Sequence, residues 1–457
     1  MARQDDSPQG NETGDSHSKL PEHLVKRSVR LSYIQSMLGA VYSASTGGMF
    51  IIGYALKLGA DNVQIGLMST VPMLCVVVQL FSALLVERGF SRRLLTISAS
   101  ILNVAGWALI ILIPHILKNA SSDAKIAALI AIITLNTAFA YISGNARASW
   151  VGDIIPARTM GIFFGRVMMY AGIVGAVLAL IEGTVLDHIK SRGIAAFNWL
   201  FLFGMVFGLL NVLLFVPQPD VRVESKGSET KYFRLIRDTF SNRSLMMVML
   251  YGLVWSMQSL AAPFYATYML RDLKMSFLGI GVLTGVSTVT VLLSSSFWGK
   301  VVDMYGSRPV LIACTAAITP APLVWIWLTS AKAVYFVIPA INILAGFTAA
   351  GVSVALSALL YKVTPSSGRA MQFAIYSVVI LLLVSPMPTI GGHLPGWLKS
   401  LGINADLRCT FYTSALFLLG ATLVARRIHE PNSAGAREMV RNLPSHLRSP
   451  STLVSIE

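Results

Sequence analysis

Residues 298–311 read WGKVVDMYGSRPVL. Within this short window an otherwise strongly apolar chain places Lys300, Asp303, Gly306, Arg308 and Pro309. A polar interruption holding a glycine and a proline marks a turn. How the apolar runs on either side of it are read decides the fold.

The 457 residues are 54% hydrophobic and only 12% charged. Soluble domains carry about 25% charged residues, and the mean hydropathy here is +0.66, so the composition is that of a membrane protein. Apolar runs long enough to cross a bilayer, which takes about 20 helical residues, recur at roughly 30–58, 63–86, 92–116, 124–152, 160–183, 195–217, 244–270, 276–300, 308–330, 333–361, 369–394 and 406–426. They predict an all-α membrane protein of about twelve transmembrane helices. Stretches such as GAVLALI and SVVILLLV are continuous, whereas barrel strands alternate apolar and polar positions.

The formal charge of +15 does not point to nucleic acid, because the basic residues are scattered between apolar runs and form no stripe with interleaved aromatics. With the N-terminus inside, about 26 of the 36 Lys and Arg fall on the cytoplasmic side and about 10 outside, the bias of the positive-inside rule. Both termini are therefore expected in the cytoplasm. Residues 1–28 lack the apolar core of a cleavable signal peptide, so the first span is expected to direct insertion. Cys75, Cys314 and Cys409 show no metal or disulfide spacing. No phosphate loop or nucleophile constellation is visible, so neither a cofactor, a metal nor an enzyme is expected.

The polar, basic segment 218–243 divides the spans into two sets of six, and the two sets repeat. NVQIGLMSTV corresponds to FLGIGVLTGV, which pairs Gly66 with Gly281. ERGFSRRLL at 87–95 corresponds to DMYGSRPVL at 303–311, and IIPARTMG at 154–161 to KVTPSSGRA at 362–370. The domain reading is a disordered cytoplasmic tail 1–28, a bundle 29–217, a linker 218–243, a second bundle 244–428 and a disordered tail 429–457.

Gly299, Asp303, Gly306 and Arg308 resemble the loop signature between helices two and three of the major facilitator superfamily (MFS), here lying between helices eight and nine. The first-half copy is degraded: Ala83 and Phe90 replace the glycines, Glu87 replaces the aspartate, Arg88 is kept and Arg92 or Arg93 supplies the cation. SWVGDIIPARTMGIFFGR at 149–166 is similar to the helix four to five loop of bacterial branches, and Arg369 follows Pro365 in the second half. The resemblance implies two pseudo-symmetric six-helix bundles, and a cytoplasmic latch drawing on Glu87, Arg88, Arg92, Arg147, Asp153, Gly299, Asp303, Gly306, Arg308 and Arg369. Arg147 reads as an ion-pair partner for Glu87 or Asp153, with binding of an anionic substrate as the other reading.

The resemblance also implies a midplane cavity between the halves. The spans that would line it offer Tyr42, Asn136, Trp255, Gln258, Tyr265, Asn342 and Gln372 as candidate substrate contacts, with Trp255, Gln258 and Tyr265 on one helical face. None of these is charged, and Glu182, Asp187 and His188 are expected near the outer end of helix five. The implied function is transport of a small, neutral or amphipathic organic solute by alternating access, through a monomer in the bacterial inner membrane. A proton or sodium ion is the open choice of coupling ion. The alternative is a non-transporting scaffold or sensor on the same fold, binding a partner through its linker or tails.

Overall fold

The computed structural model describes residues 21–88, 90–155, 160–189, 192–220, 237, 240–328, 331–364, 369–403, 405–430 and 433–448, apart from some side chains within those ranges. Every regular element among them is helical. Eleven helical stretches are long and apolar enough to cross a membrane.

The first predicted span is not among these eleven. It is broken into α1 (Glu22–Thr46) and α2 (Gly48–Leu58), and Gly48 adopts φ +55, a conformation closed to most side chains. The first half continues with α3 (Asn62–Leu74), a 3-10 turn at Cys75–Val77, α4 (Val78–Glu87), α5 (Arg92–Ile116), α6 (Ser122–Ile154), α7 (Met160–Ile189) and α8 (Ile194–Leu213). The second half begins with α9 (Arg243–Ser256), a 3-10 turn at Met257–Leu260, α10 (Ala262–Thr267) and a π turn at Tyr268–Asp272. It goes on through α11 (Phe277–Tyr305), α12 (Ser307–Ile318), α13 (Ala321–Trp327), α14 (Ala331–Val363), α15 (Arg369–Val384), α16 (Met387–Ser400) and α17 (Cys409–Arg427).

The tail predicted as disordered from 429 instead carries α18 (Ala436–Arg448). Its buried Met439 joins the core of the second half, so one apolar contact anchors a helix that composition reads as solvated. Helix starts are capped by side chains: Ser91, Ser121, Asn242 and Ser276 each accept an amide hydrogen three residues on. Asp61 and Gln64 form a reciprocal capping box.

The apolar cores show how the halves relate. One core, around Tyr251, Trp298, Leu311 and Leu359, lies within the second half, and another, around Trp150, Phe163 and Phe215, lies within the first. A third crosses between them, packing Ile65 among Phe264, Tyr268 and Phe411. It sits at the end of the bundle where α2 meets α3 and α10 meets α11.

At that end the backbones touch. A methyl group on Gly66 of α3 would stand 2.9 Å from Thr389 Cα of α16, and one on Gly281 of α11 would overlap the Ala179 carbonyl of α7. Gly183 and Gly392 play the same part from the partner helices, facing Leu278 and Val63. The glycines paired by the sequence repeat thus occupy equivalent crossings, α3 on α16 and α11 on α7. Asp187 of α7 accepts from the Phe277 and Leu278 amides at 3.2 and 2.8 Å, capping the start of α11 across the interface. Arg271 donates to Asn62 at 2.9 Å and Thr389 to Thr70 at 2.8 Å. Phe277 wedges between Phe50 and Phe197. Among the described residues, every hydrogen bond between the halves lies at this end, and none links them at the end bearing the 303–311 loop.

Leucine at Gly281 should push α11 off α7 and destabilise the closed end by about 1–3 kcal/mol, the usual cost of overpacking. With the native cysteines removed, a cysteine placed at Asn62 should then react faster with a membrane-impermeant maleimide. Unchanged labelling would show that the crossing does not hold this end shut.

Candidate functional site

Among the described residues, two cavities between the halves stand out. The larger, about 650 Å³, runs along α1 and the start of α2 from Gln35 to Phe50 and is walled by Arg147 of α6, the Gly172–Ala179 face of α7, and Thr284 and Thr288 of α11. The smaller, about 470 Å³, is bounded by Met73, Ser256, Gln258, Ser259, Tyr265 and the C-terminal part of α15. The wall of the first is built from small residues recurring at helical spacing, Gly39, Ala40, Ser43, Ala44 and Gly47 on α1 facing Ala171, Gly172, Gly175 and Ala176 on α7.

The predicted substrate contacts divide. Gln258 and Tyr265 line the smaller cavity, where Tyr265 stacks on Phe411 with centroids 4.7 Å apart. Trp255 turns away and stacks on Tyr251. The 3-10 turn at Met257–Leu260 tightens the rotation per residue, so the α-helical spacing that grouped these three side chains does not hold. Tyr42 donates to Asn103 at 2.6 Å, and the Asn136 side chain packs on Gly106 between α5 and α6. Asn342 donates to Ile338 of its own helix at 3.0 Å, and Gln372 is buried away from both cavities. Tyr42 binds a neighbouring helix and Asn342 its own, a common use of polar residues in bundles, whereas the Asn136 amide and Oε1 of Gln372 are buried without a hydrogen-bond partner among the described residues.

Arg147 is placed where the sequence puts it, one to two turns inside the end of α6, but it is not in an ion pair among the described residues. Its guanidinium lies over the Phe215 ring, 5.3 Å from the centroid, and borders the larger cavity. The side chains of Glu87, Asp153 and Arg369 lie outside the described set. Gln35, Ser36 and Ser43 are cavity residues that polarity alone did not single out; the small-residue stripe of α1 was the legible signal.

Glu182 is not at the outer end of its span. It sits seven residues inside α7, about 10 Å from the end at 1.5 Å per residue, and is 3% exposed. One carboxylate oxygen accepts a hydrogen bond from Ser45 of α1, and the other has no partner. Ser45 lies beside the Gly47–Gly48 break, so the carboxyl group is tied to the point where the cavity-lining helix bends.

The loop motif has a partner the sequence did not announce. Gly306 adopts φ +92, which explains the glycine. The turn presents the Ser307 and Arg308 amides to the Glu430 carboxylate at 3.1 and 2.7 Å, and Lys362 of α14 bridges to the same group at 2.8 Å. The Arg308 side chain donates to the Arg426 carbonyl at 2.8 Å. Asp303 is exposed, and the expected contact between Asp303 and Arg308 is not formed. Gly299 faces open space, so it makes no close helix approach. Arg88 is exposed, while Arg92 is buried and donates to the Ser149 carbonyl at 2.8 Å, locking α5 to α6.

Burial raises the Glu430 pKa, but the Lys362 bond and the two amides outweigh it and leave the group below its ordinary value. Because folding lowers this pKa, the stabilisation is complete above the ordinary carboxylate range and is lost as pH falls through the lower folded value. Glu430→Gln should cost about 1–3 kcal/mol and make the C-terminal segment more sensitive to trypsin at neutral pH. Asp303→Asn should change stability by less than about 0.5 kcal/mol. Equal melting temperatures for the two variants would remove Glu430 as the loop's anchor.

The Major Facilitator Superfamily model matches residues 33–269 and 245–455. No curated protein matches in sequence. A mutant of the nucleoside transporter NupG is similar in structure at a TM-score of 0.66 and 13% identity, over 89% of this chain and 100% of that one. The D-xylose-proton symporter is similar at 0.66 and 14%, over 90% and 99%. A bacterial homolog of the human lysosomal transporter Spinster, inward-facing and unoccupied, is similar at 0.62 and 14%, over 94% and 99%. At these identities the structures share the fold. The family match spans both six-helix halves and most of the chain between its tails, and the chain belongs to the major facilitator superfamily.

Proposed function

We propose that the protein is a secondary transporter that moves a small amphipathic organic solute by alternating access. The observation that carries this reading is a cavity of about 650 Å³ between two halves whose mutual hydrogen bonds, among the described residues, lie at one end. That volume suits a metabolite-sized ligand. With both termini in the cytoplasm, as the distribution of Lys and Arg favours, the closed end faces out and the cavity opens inward. Rocking the halves would break the glycine crossings on one side and engage the 303–311 loop on the other. The protein would work as a monomer in the cell membrane.

The coupling ion in this reading is a proton carried by Glu182. An unpaired carboxylate inside a membrane span is costly when charged, and the neighbouring Leu178, Ile181, Val185 and Trp199 offer no cation. Protonation removes that cost, so Glu182 would load and release a proton as α1 bends at Gly47.

Purified full-length protein in liposomes, tested with a solute panel under imposed proton and sodium gradients, examines both claims. Flux of at least one solute, accelerated by a pH gradient and not by sodium, is expected. Glu182→Gln should abolish the acceleration while counterflow exchange persists. Acceleration that survives in this variant would exclude Glu182, and ligand-induced stabilisation without flux would favour a sensor over a transporter.

A further inference from the structure

Among the described residues that line the larger cavity, Arg147 is the one charged side chain and none is a carboxylate. Among the described residues, the second cavity has no charged lining residue. A guanidinium carries five hydrogen-bond donors and no acceptor, and here it makes no hydrogen bond or ion pair among the described residues. Its recorded partner is the Phe215 ring, which satisfies part of the charge and none of the donors.

A cation at a bilayer edge can simply snorkel to water. Two observations argue for more than that. The side chain is directed to a cavity between the halves, where Ser36, Ser43, Thr284 and Thr288 share the wall. Gln35, on the same wall and fully buried, holds its Oε1 on Gln218 at 3.0 Å and leaves its Nε2 without an acceptor. The hydroxyls of Thr284 and Thr288 donate to carbonyls of their own helix at 3.0 and 2.9 Å, and so present lone pairs and no free hydrogen. The strong unused donors of this wall therefore belong to Arg147 and Gln35, and the complementary group is an acceptor bearing negative charge.

We infer that the larger cavity binds the anionic end of its substrate, a carboxylate or phosphate, on the Arg147 guanidinium with Gln35 beside it. The apolar remainder of the solute lies along the Gly and Ala faces of α1 and α7. This rests on the transport reading for the word substrate, and it narrows a neutral or amphipathic solute to an anionic amphipath. A free anion, not a lipid headgroup, is the occupant, because the wall residues that receive it lie between the two halves.

The test uses full-length protein in lipid-free neutral detergent and matched pairs of small molecules: phenylacetate and phenylacetamide, succinate and succinamide, glycerol 3-phosphate and glycerol. At least one anion should raise the melting temperature, and its neutral counterpart should not. Arg147→Gln should weaken that anion's binding about tenfold or more, the loss expected for a charge-assisted hydrogen bond, and Arg147→Lys should restore part of it. Phe215→Leu, which removes the ring and keeps the cation, should retain binding and so separates misfolding from loss of the charge. Equal stabilisation by neutral counterparts, no shift with any anion, or an anion shift unchanged in Arg147→Gln would each overturn the inference. Stabilisation by dioleoylphosphatidylglycerol alone would assign the site to lipid and overturn it too. Flux of the bound anion into liposomes is measured separately. Arg147-dependent binding without flux would defeat the transport reading and leave the anion site, whereas flux of a neutral solute insensitive to Arg147→Gln would do the reverse.

Discussion

Two helix crossings hold this molecule in its present state. Where α3 meets α16 and α11 meets α7, glycines remove the side chains that would keep the backbones apart, and the helices come into direct contact. Within a bilayer, lipid is as apolar as any side chain, so close packing and polar contacts, not a hydrophobic drive, decide which helices associate. The crossings are accompanied by the Asp187 cap on α11 and by the Phe277 wedge. The cavity lies between the halves away from these crossings.

The same logic explains why the two ends carry different chemistry. The closed end is tightened by glycines, aromatic rings and short polar bonds. At the open end, each half completes its own structure: Arg92 ties α5 to α6 within the first, and Glu430 gathers the 307–308 amides and Lys362 within the second. Among the described residues, these bonds of Arg92 and Glu430, and that of the Arg308 side chain to Arg426, stay within one half. Asp303 stays exposed beside them.

The overall architecture was legible in the sequence because span length and apolar continuity are set by the bilayer and not by tertiary detail. The repeat was legible too, and the pairing of Gly66 with Gly281 proved to be a pairing of equivalent crossings. The substrate contacts were legible only in part. Gln258 and Tyr265 face a cavity, but Trp255 does not, because a 3-10 turn changes the phase of the helix between them. Tyr42, Asn136 and Asn342 were chosen for polarity near span centres, and polarity does not tell whether a group faces a cavity or a neighbouring helix.

By itself, then, the chain determined its solvent, its helical class and its twofold repeat, since each depends on local composition or on spacing along the chain. Tertiary structure alone decided the environment of single groups. Glu182 lies near a span end in sequence, yet Ser45 and the packing of α1 on α7 bury it. Glu430 lies in a polar tail, yet it finishes the loop motif more than 120 residues away. Arg147 lies over the Phe215 ring at the border of the cavity, a placement that spacing along the chain does not give. Which partner a charge finds depends on which helices approach it in space, and that is settled by packing between segments that the linear order keeps far apart.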